Sequence, residues 1–341
     1  GQRELQQLVR EQLGQMIGRL LAAAPAATPL KHVVIVGNTV MHHLFCGIDV
    51  APLAHHPFEP RHAGRVRLPA KALDSHWPLE TVVEFLPCLG GFVGSDILAG
   101  IIATGLHESG DLVALMDLGT NGEVVVGRRG RILCTSTAAG PAFEGARISM
   151  GMRAATGAIS EVRINDGSLA CSVIGGGEPR GLCGSGLVDA VAAGLELKRI
   201  EPRGRMTEKS LPLAGEVKLL PADVRELQLA KGAIATGLQL LTARFGAGID
   251  DLAQLYLAGA FGNYISRASA RRIGLLRLPI DRIVPAGNTA LLGAKRALFE
   301  EPADWDAIAG RVEHVALNED PEFQERYAEE MQFPAPADEA I

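Results

Sequence analysis

Between Glu4 and Leu21 the residues Leu5, Leu8, Val9, Leu13, Met16, Ile17 and Leu20 recur every three or four positions, a spacing that predicts an amphipathic helix. A short Val/Ile-rich run, His32–Val36, follows and predicts a buried strand. Further strands are predicted at Val82–Leu86, Leu112–Asp117, Glu123–Gly127, Arg131–Thr135, Ala158–Ile164, Leu169–Ile174, Leu255–Ala258 and Arg282–Ala286. Helices are predicted at Asp96–Gly105, Ser185–Leu197, Ala222–Phe245, Asn288–Phe299 and Trp305–Val312. Several strands are continuous apolar runs and alternate with helices, which favours an α/β sheet covered on both faces. The Pro- and His-rich segment Leu53–Pro78 reads as an excursion outside the core, and 200–221 as an irregular connector. A chain that opens directly on a helix behind a lone Gly1 reads as a piece of something longer.

Composition narrows the classes. The 341 residues suffice for two ordinary domains. Apolar residues make up 47% with only 4% aromatics, so the core must be aliphatic. The net charge of −6 and the lack of a Lys/Arg-dense segment argue against nucleic acid as a partner. No apolar stretch reaches membrane-spanning length and the start is not a signal peptide, so the expectation is a cytoplasmic protein without a membrane partner. Cys46, Cys88, Cys134, Cys171 and Cys183 form no C-x-x-C pair, which argues against disulfides, zinc or a self-contained iron–sulfur site. The pairs His42-His43 and His55-His56 lack a suitably spaced third metal ligand.

The richest chemistry lies in Asp117-Leu118-Gly119-Thr120-Asn121-Gly122-Glu123, set between two apolar runs. A strand, a tight turn and a second strand would gather backbone N–H groups into a nest for phosphate. Gly119, Thr120, Asn121 and Gly122 would donate to phosphate oxygens, and Asp117 would hold Mg²⁺ through water. Glu123 would orient a water or pair with a nearby donor. Asn121-Gly122 would also suit a plain type I′ hairpin. Further on, Gly259, Ala260, Phe261 and Gly262 follow a buried strand, and small residues there would let adenine and ribose approach the backbone. Arg225, Gln228 and Lys231, three residues apart, would share one helix face and reach the same nucleotide, or simply be solvated. Gly181–Gly186 precedes a helix and reads either as an anion site or as a turn packed close to a strand. Val34–Met41 is echoed by Val284–Leu291, each a strand, then Gly-Asn-Thr, then a helix, which suggests a duplicated fold.

The order of these pieces resembles connect 1, phosphate 2, adenosine and connect 2 of the actin/Hsp70/sugar-kinase ATPases (ASKHA). The wording of Val36–Leu44, Asp117–Glu123, Ser136–Ala146, Gly151–Ala154, Gly181–Gly186, Arg225–Ala233 and Leu257–Tyr264 is similar to the ATPase portion of the reductive activators of corrinoid proteins. The resemblance implies an α/β, actin-like and ribonuclease H-like fold of duplicated lobes, with the first incomplete because phosphate 1 would lie upstream. It divides the chain into a first-lobe remainder (1–110, with an insert near 50–80), a nucleotide-binding second lobe (111–300) and a helical tail (301–341).

The activity implied is ATP-driven return of Co(II) corrinoid proteins of methyltransferase systems to Co(I), with lobes that close on ATP. The electron would come from an upstream [2Fe–2S] domain, not from this chain. ATP and Mg²⁺ are the implied ligands, and a corrinoid protein and a second copy of the chain the implied partners. Asp117 and Glu123 become the catalytic candidates. Gly119, Thr120, Asn121, Gly122, Lys231, Gly259, Ala260, Phe261 and Gly262 become the nucleotide contacts. Without phosphate 1, the chain would bind nucleotide poorly and hydrolyse it little. Alternative expectations are a small-molecule kinase of the same superfamily, an activator with a [4Fe–4S] cluster between subunits, and a docking module that senses ATP without hydrolysis.

Overall fold

The computed structural model describes residues 1–24, 29–73, 76–78 and 80–335. Positions 74–75 of the expected excursion and 336–341 of the expected tail lie outside the described residues. The chain divides into two compact units, one built from Gly1–Glu108, Arg129–Cys134 and Asn288–His314, the other from Ser109–Arg128, Thr135–Gly287 and Val315–Ile341.

In the first unit the amphipathic periodicity becomes the helix Gln2–Ala22. Its Val9, Leu13 and Ile17 pack on a core of Phe45, Ala70, Trp77, Val83 and Phe85. Gly14 is required there, because a Cβ would lie 2.8 Å from His76 Cβ and 3.0 Å from Trp77 Nε1. The strand His32–Ile35 runs parallel to Val82–Phe85, which is also paired, antiparallel, with Val66–Pro69. The segment read as an excursion therefore returns a strand to the sheet. It escaped the pattern because it is four residues long and ends on proline. Within this sheet Glu84 is buried yet charged: its carboxylate accepts from Arg65 Nη1 (2.8 Å) and Arg67 Nε (2.7 Å) and pairs with His32 Nε2 (3.0 Å). Burial alone would raise its pKa, but the two guanidinium groups outweigh it and hold the carboxyl below the usual range.

Both Gly-Asn-Thr corners start helices in the same way. Asn38 caps Thr39–Cys46 by accepting from Met41 N, and Asn288 caps Thr289–Ala297 by accepting from Leu291 N, both at 2.9 Å. The second helix packs on Ser95–Thr104, with Arg296 Nη1 donating to Ile102 O at 2.6 Å. The helix expected at Trp305–Val312 starts earlier, at Pro302, where proline suits the first turn, and ends at Ala309 before Gly310. Val312–His314 is instead a strand, parallel to Ile132–Cys134.

In the second unit Ile283–Gly287, Gln254–Ala258 and Val113–Leu118 lie side by side and parallel, and Gly122–Arg128 returns antiparallel to the last. The strand Arg131–Thr137 follows in sequence. A smaller sheet orders Ser168–Val173, Ala158–Asn165 and Gly181–Leu182. The presumed connector at 200–221 contains a hairpin, Leu211–Ala214 with Val217–Leu219, turned at Gly215 with φ +55°.

Helix Pro221–Ala243 is buried along most of its length. Helix Phe323–Glu330 packs against it, and the residues that follow clasp it. Gln228 Nε2 donates to Met331 O (3.0 Å) and Lys231 Nζ to Gln332 O (2.6 Å), with the ammonium 5.7 Å from the Phe333 ring. Lys231 is wholly buried. Burial, aided by the Arg277 charge and opposed by Glu330, pushes its pKa down to about 8. No helix among the described residues is long and apolar enough to cross a membrane.

Two stability predictions follow from these buried charges. Glu84→Ala leaves two arginines without their shared carboxylate and should cost the first unit about 3 kcal/mol, read by urea denaturation. Lys231 takes up its proton less readily when folded than when unfolded. Its penalty is therefore complete below about pH 8 and disappears as pH rises from there towards 10.5. The wild type should gain roughly 3 kcal/mol over that window relative to Lys231→Met, measured as the pH dependence of Tm.

Candidate functional site

The functional candidates converge where two parallel strands end. Pairing of Gln254–Ala258 with Val113–Leu118 sets Ala258 beside Asp117. The next residue, Gly259, has φ +85°, a conformation that L side chains avoid. A Cβ there would fall 2.5 Å from Asp117 Oδ1 and 2.7 Å from Leu118 O. The glycine thus lets the chain turn over the aspartate into the short helix Gly259–Gly262, which carries Ala260 and Phe261. Asp117 and the Gly-Ala-Phe-Gly bend, 142 positions apart in sequence, are immediate neighbours.

The turn after Asp117 is wider than a two-residue hairpin. Asp117 pairs with Glu123 and Leu118 with Gly122, which leaves Gly119, Thr120 and Asn121 as the loop. Gly119 N donates to Asn121 O at 3.0 Å, and Thr120 and Asn121 are exposed at the tip. Gly122 is not a turn residue. It sits in the ladder opposite Leu118, where only glycine fits because a Cβ would lie 2.5 Å from Ile234 Cγ1, and its carbonyl accepts from Thr137 Oγ1 at 2.9 Å. Glu123 Oε1 accepts from Ser136 Oγ at 3.2 Å, so that carboxylate is held on the ladder next to the tip. Thr120 Oγ1 donates to Glu144 Oε1.

Phe261 lies face to face with Phe143, ring centroids 4.6 Å apart and planes 24° apart. Helix Gly184–Glu196 begins against this pair, with a Cβ on Gly184 placed 3.0 Å from Phe261 Cε2. The glycines of 181–186 serve close packing: Cβ atoms on Gly181 and Gly186 would strike Met150 O and Ile159 O. Beside this helix start, and beyond the bend, a cavity of about 600 Å³ is lined by Ser160, Glu161, Cys183, Ser185, Asp189 and Tyr264, among others. Asp189 Oδ2 accepts from Val162 N at 3.3 Å, while Oδ1 has no partner among the described residues. Burial raises the pKa of that carboxyl against the pull of the Val162 N–H.

Asp117, Gly119, Thr120, Asn121, Gly122, Glu123, Gly259, Ala260, Phe261 and Gly262 therefore sit within one region of the second unit. Lys231 is engaged by other partners. The sequence put Gln228 and Lys231 on one face, and they are, but that face holds backbone carbonyls of the C-terminal segment. The sequence pattern gives Ser136, Thr137, Phe143 and Glu144 no individual role, although Ser136–Ala146 carries part of the resemblance. Pairing to a distant turn leaves no mark on local periodicity.

The corner suits Mg²⁺-bound phosphate, with a carboxylate at the strand end, a glycine-lined approach and an exposed turn. The cysteines of the described residues do not gather within this chain as a cluster ligand set. Cys88, Cys134 and Cys183 are buried, and among the described residues no three His, Cys, Asp or Glu side chains converge as a metal set. Burial pushes the Cys88 thiol up to about 12, away from the thiolate a cluster needs.

Comparison with known proteins gives concordant matches. Residues 111–341 match the family described as the C-terminal domain of RACo, the ASKHA domain, and residues 1–109 match the RACo middle region. The corrinoid activation enzyme RamQ of Eubacterium limosum is 35% identical over 95% of this chain and 60% of its own length. The [Co(II) methylated amine-specific corrinoid protein] reductase of Methanosarcina barkeri is 31% identical over 65% of this chain and 45% of its own length. A solved structure of a reductive activator for corrinoid, iron-sulfur protein superposes with a TM-score of 0.83 at 29% identity, covering 98% of this chain and 58% of that one. The chain thus spans about 60% or less of these relatives' length. On these matches and on the strand-end corner just described, the chain belongs to the RACo family and carries its actin-like ASKHA fold.

Proposed function

We propose that this chain is the ATP-handling part of a reductive activator that returns the Co(II) form of a corrinoid protein to Co(I). The observation that carries the reading is the adjacency of Asp117 and Gly259 at the ends of parallel strands, in an ASKHA domain. Crevices at the carboxyl ends of parallel strands are where α/β sheets take ligands. The Gly119–Asn121 loop takes the phosphates, Asp117 fixes Mg²⁺ through water, and Glu123, steadied by Ser136, orients a water for attack on the terminal phosphate. The bend Gly259–Gly262 carries the chain from the phosphates towards the cavity beside Tyr264, which receives the nucleoside.

The partner class rests on the relatives, whose names specify corrinoid proteins. The one electron that converts Co(II) to Co(I) comes from a [2Fe–2S] group that these cysteines do not hold, and the activator works as a homodimer. Nucleotide does work in such a cycle only by binding two states unequally.

Titration calorimetry with Mg-ATP tests the site. The wild type should show saturable binding, and Asp117→Asn should weaken it at least about tenfold by removing the charge that fixes the metal. Gly259→Ala should weaken it comparably, because the added methyl group collides with Asp117 Oδ1. Wild-type affinity in both variants, with folding intact, would overturn the assignment.

A further inference from the structure

Thr120 has one hydroxyl proton, and the structure shows it committed. It is donated to Glu144, a residue 24 positions away on a separate segment. Glu144 ends the short 3-10 turn Pro141–Glu144, which lies between two glycines in the left-handed region, Gly140 (φ +75°) and Gly145 (φ +78°). The two ends of this turn differ. A Cβ on Gly145 would lie 2.6 Å from Met152 O and 2.7 Å from Met152 N, so that end is pinned against backbone. A Cβ on Gly140 would meet nothing within 4 Å, so that end borders open space. Between them, the buried Phe143 rests face to face on Phe261 of the bend. One short turn therefore touches the tip of the phosphate loop through Glu144 and the nucleoside-side bend through Phe143.

We propose that Glu144 is a positioning residue of the phosphate loop. Without nucleotide its carboxylate accepts the hydrogen bond of the Thr120 hydroxyl, and a bound phosphate replaces it as the acceptor. This rests on the nucleotide reading above and deepens it. A hydroxyl donates to one acceptor at a time, so carboxylate and phosphate compete for Thr120. They are also like charges, so phosphate entry is opposed until a cation compensates. Losing its donor releases Glu144 and the turn that carries it, with Gly140 as the free end. Occupancy of the phosphate loop is thereby passed to segment 140–146 and to the Phe143–Phe261 stack.

A double-mutant cycle with ATP in the presence of EDTA tests this. Thr120 and Glu144 are both exposed, so the variants should fold, as circular dichroism will verify. Glu144→Ala should bind metal-free ATP about tenfold tighter than wild type, which narrows the gap between Mg-loaded and free nucleotide. In a Thr120→Val background the same substitution should gain less than about threefold, and Thr120→Ser should restore the wild-type difference. No gain in Glu144→Ala, or a full gain that persists without the hydroxyl, overturns the proposal.

If neither wild type nor any variant takes up ATP with or without Mg²⁺, it is the nucleotide reading that fails. Hydrogen exchange on the ligand-free protein then decides the Glu144 contact. Faster exchange at 119–122 and 140–146, by a similar factor in Glu144→Ala and Thr120→Val, supports it, and unchanged exchange overturns it.

Discussion

The register of two parallel strands underlies everything proposed for this molecule. Ala258 faces Asp117 across the ladder, and only then does the left-handed Gly259 bring the bend over that carboxylate. A slip of one residue would turn the side chain of Asp117 to the other face of the sheet. The register is held by burial on both faces, since Val113–Met116, Leu255 and Leu257 are all within the core. On its other edge Gln254–Ala258 pairs with Ile283–Gly287 and shifts register between Leu257 and Ala258, as the bend begins.

Helix Pro221–Ala243 is the second fixed body of that unit. It packs behind the Gly119–Asn121 loop through Ile234, which approaches Gly122 too closely for any side chain there. Its buried polar residues are answered one by one. Thr236 and Thr242 donate to carbonyls one turn back, Gln228 and Lys231 to the C-terminal segment, and Gln239 to Glu330, which also pairs with Arg277. Left without these partners, each buried polar group would cost the fold its desolvation.

Much of this was legible in the chain itself. The long helices and continuous apolar strands carry their period openly, and the Gly-Asn-Thr corners announce their caps. The Asp117 turn and the Gly-Ala-Phe-Gly bend were found because unusual small residues follow buried strands. Short strands such as Val66–Pro69 and Val312–His314 were not visible, because three or four residues hold no period. Lys231 shows a different limit. Its place on the helix was readable, but its partner is the carbonyl of a residue 101 positions later, and a carbonyl carries no side-chain signature. Glu144 likewise gained meaning only once folding set it against Thr120.

The first unit is discontinuous: Asn288–His314 belongs with residues 1–108, although nearly the whole second unit is encoded between them. Helix Thr289–Ala297 closes on Ser95–Thr104 so tightly that Gly293 rests against the backbone of Ala99. During synthesis Ser95–Thr104 must wait until Thr289–Ala297 has been made before this helix pairing can form. Meanwhile the intervening unit has nearly all of its sheet in hand. The earlier part of the first unit is thus completed only after the unit encoded within it has been made.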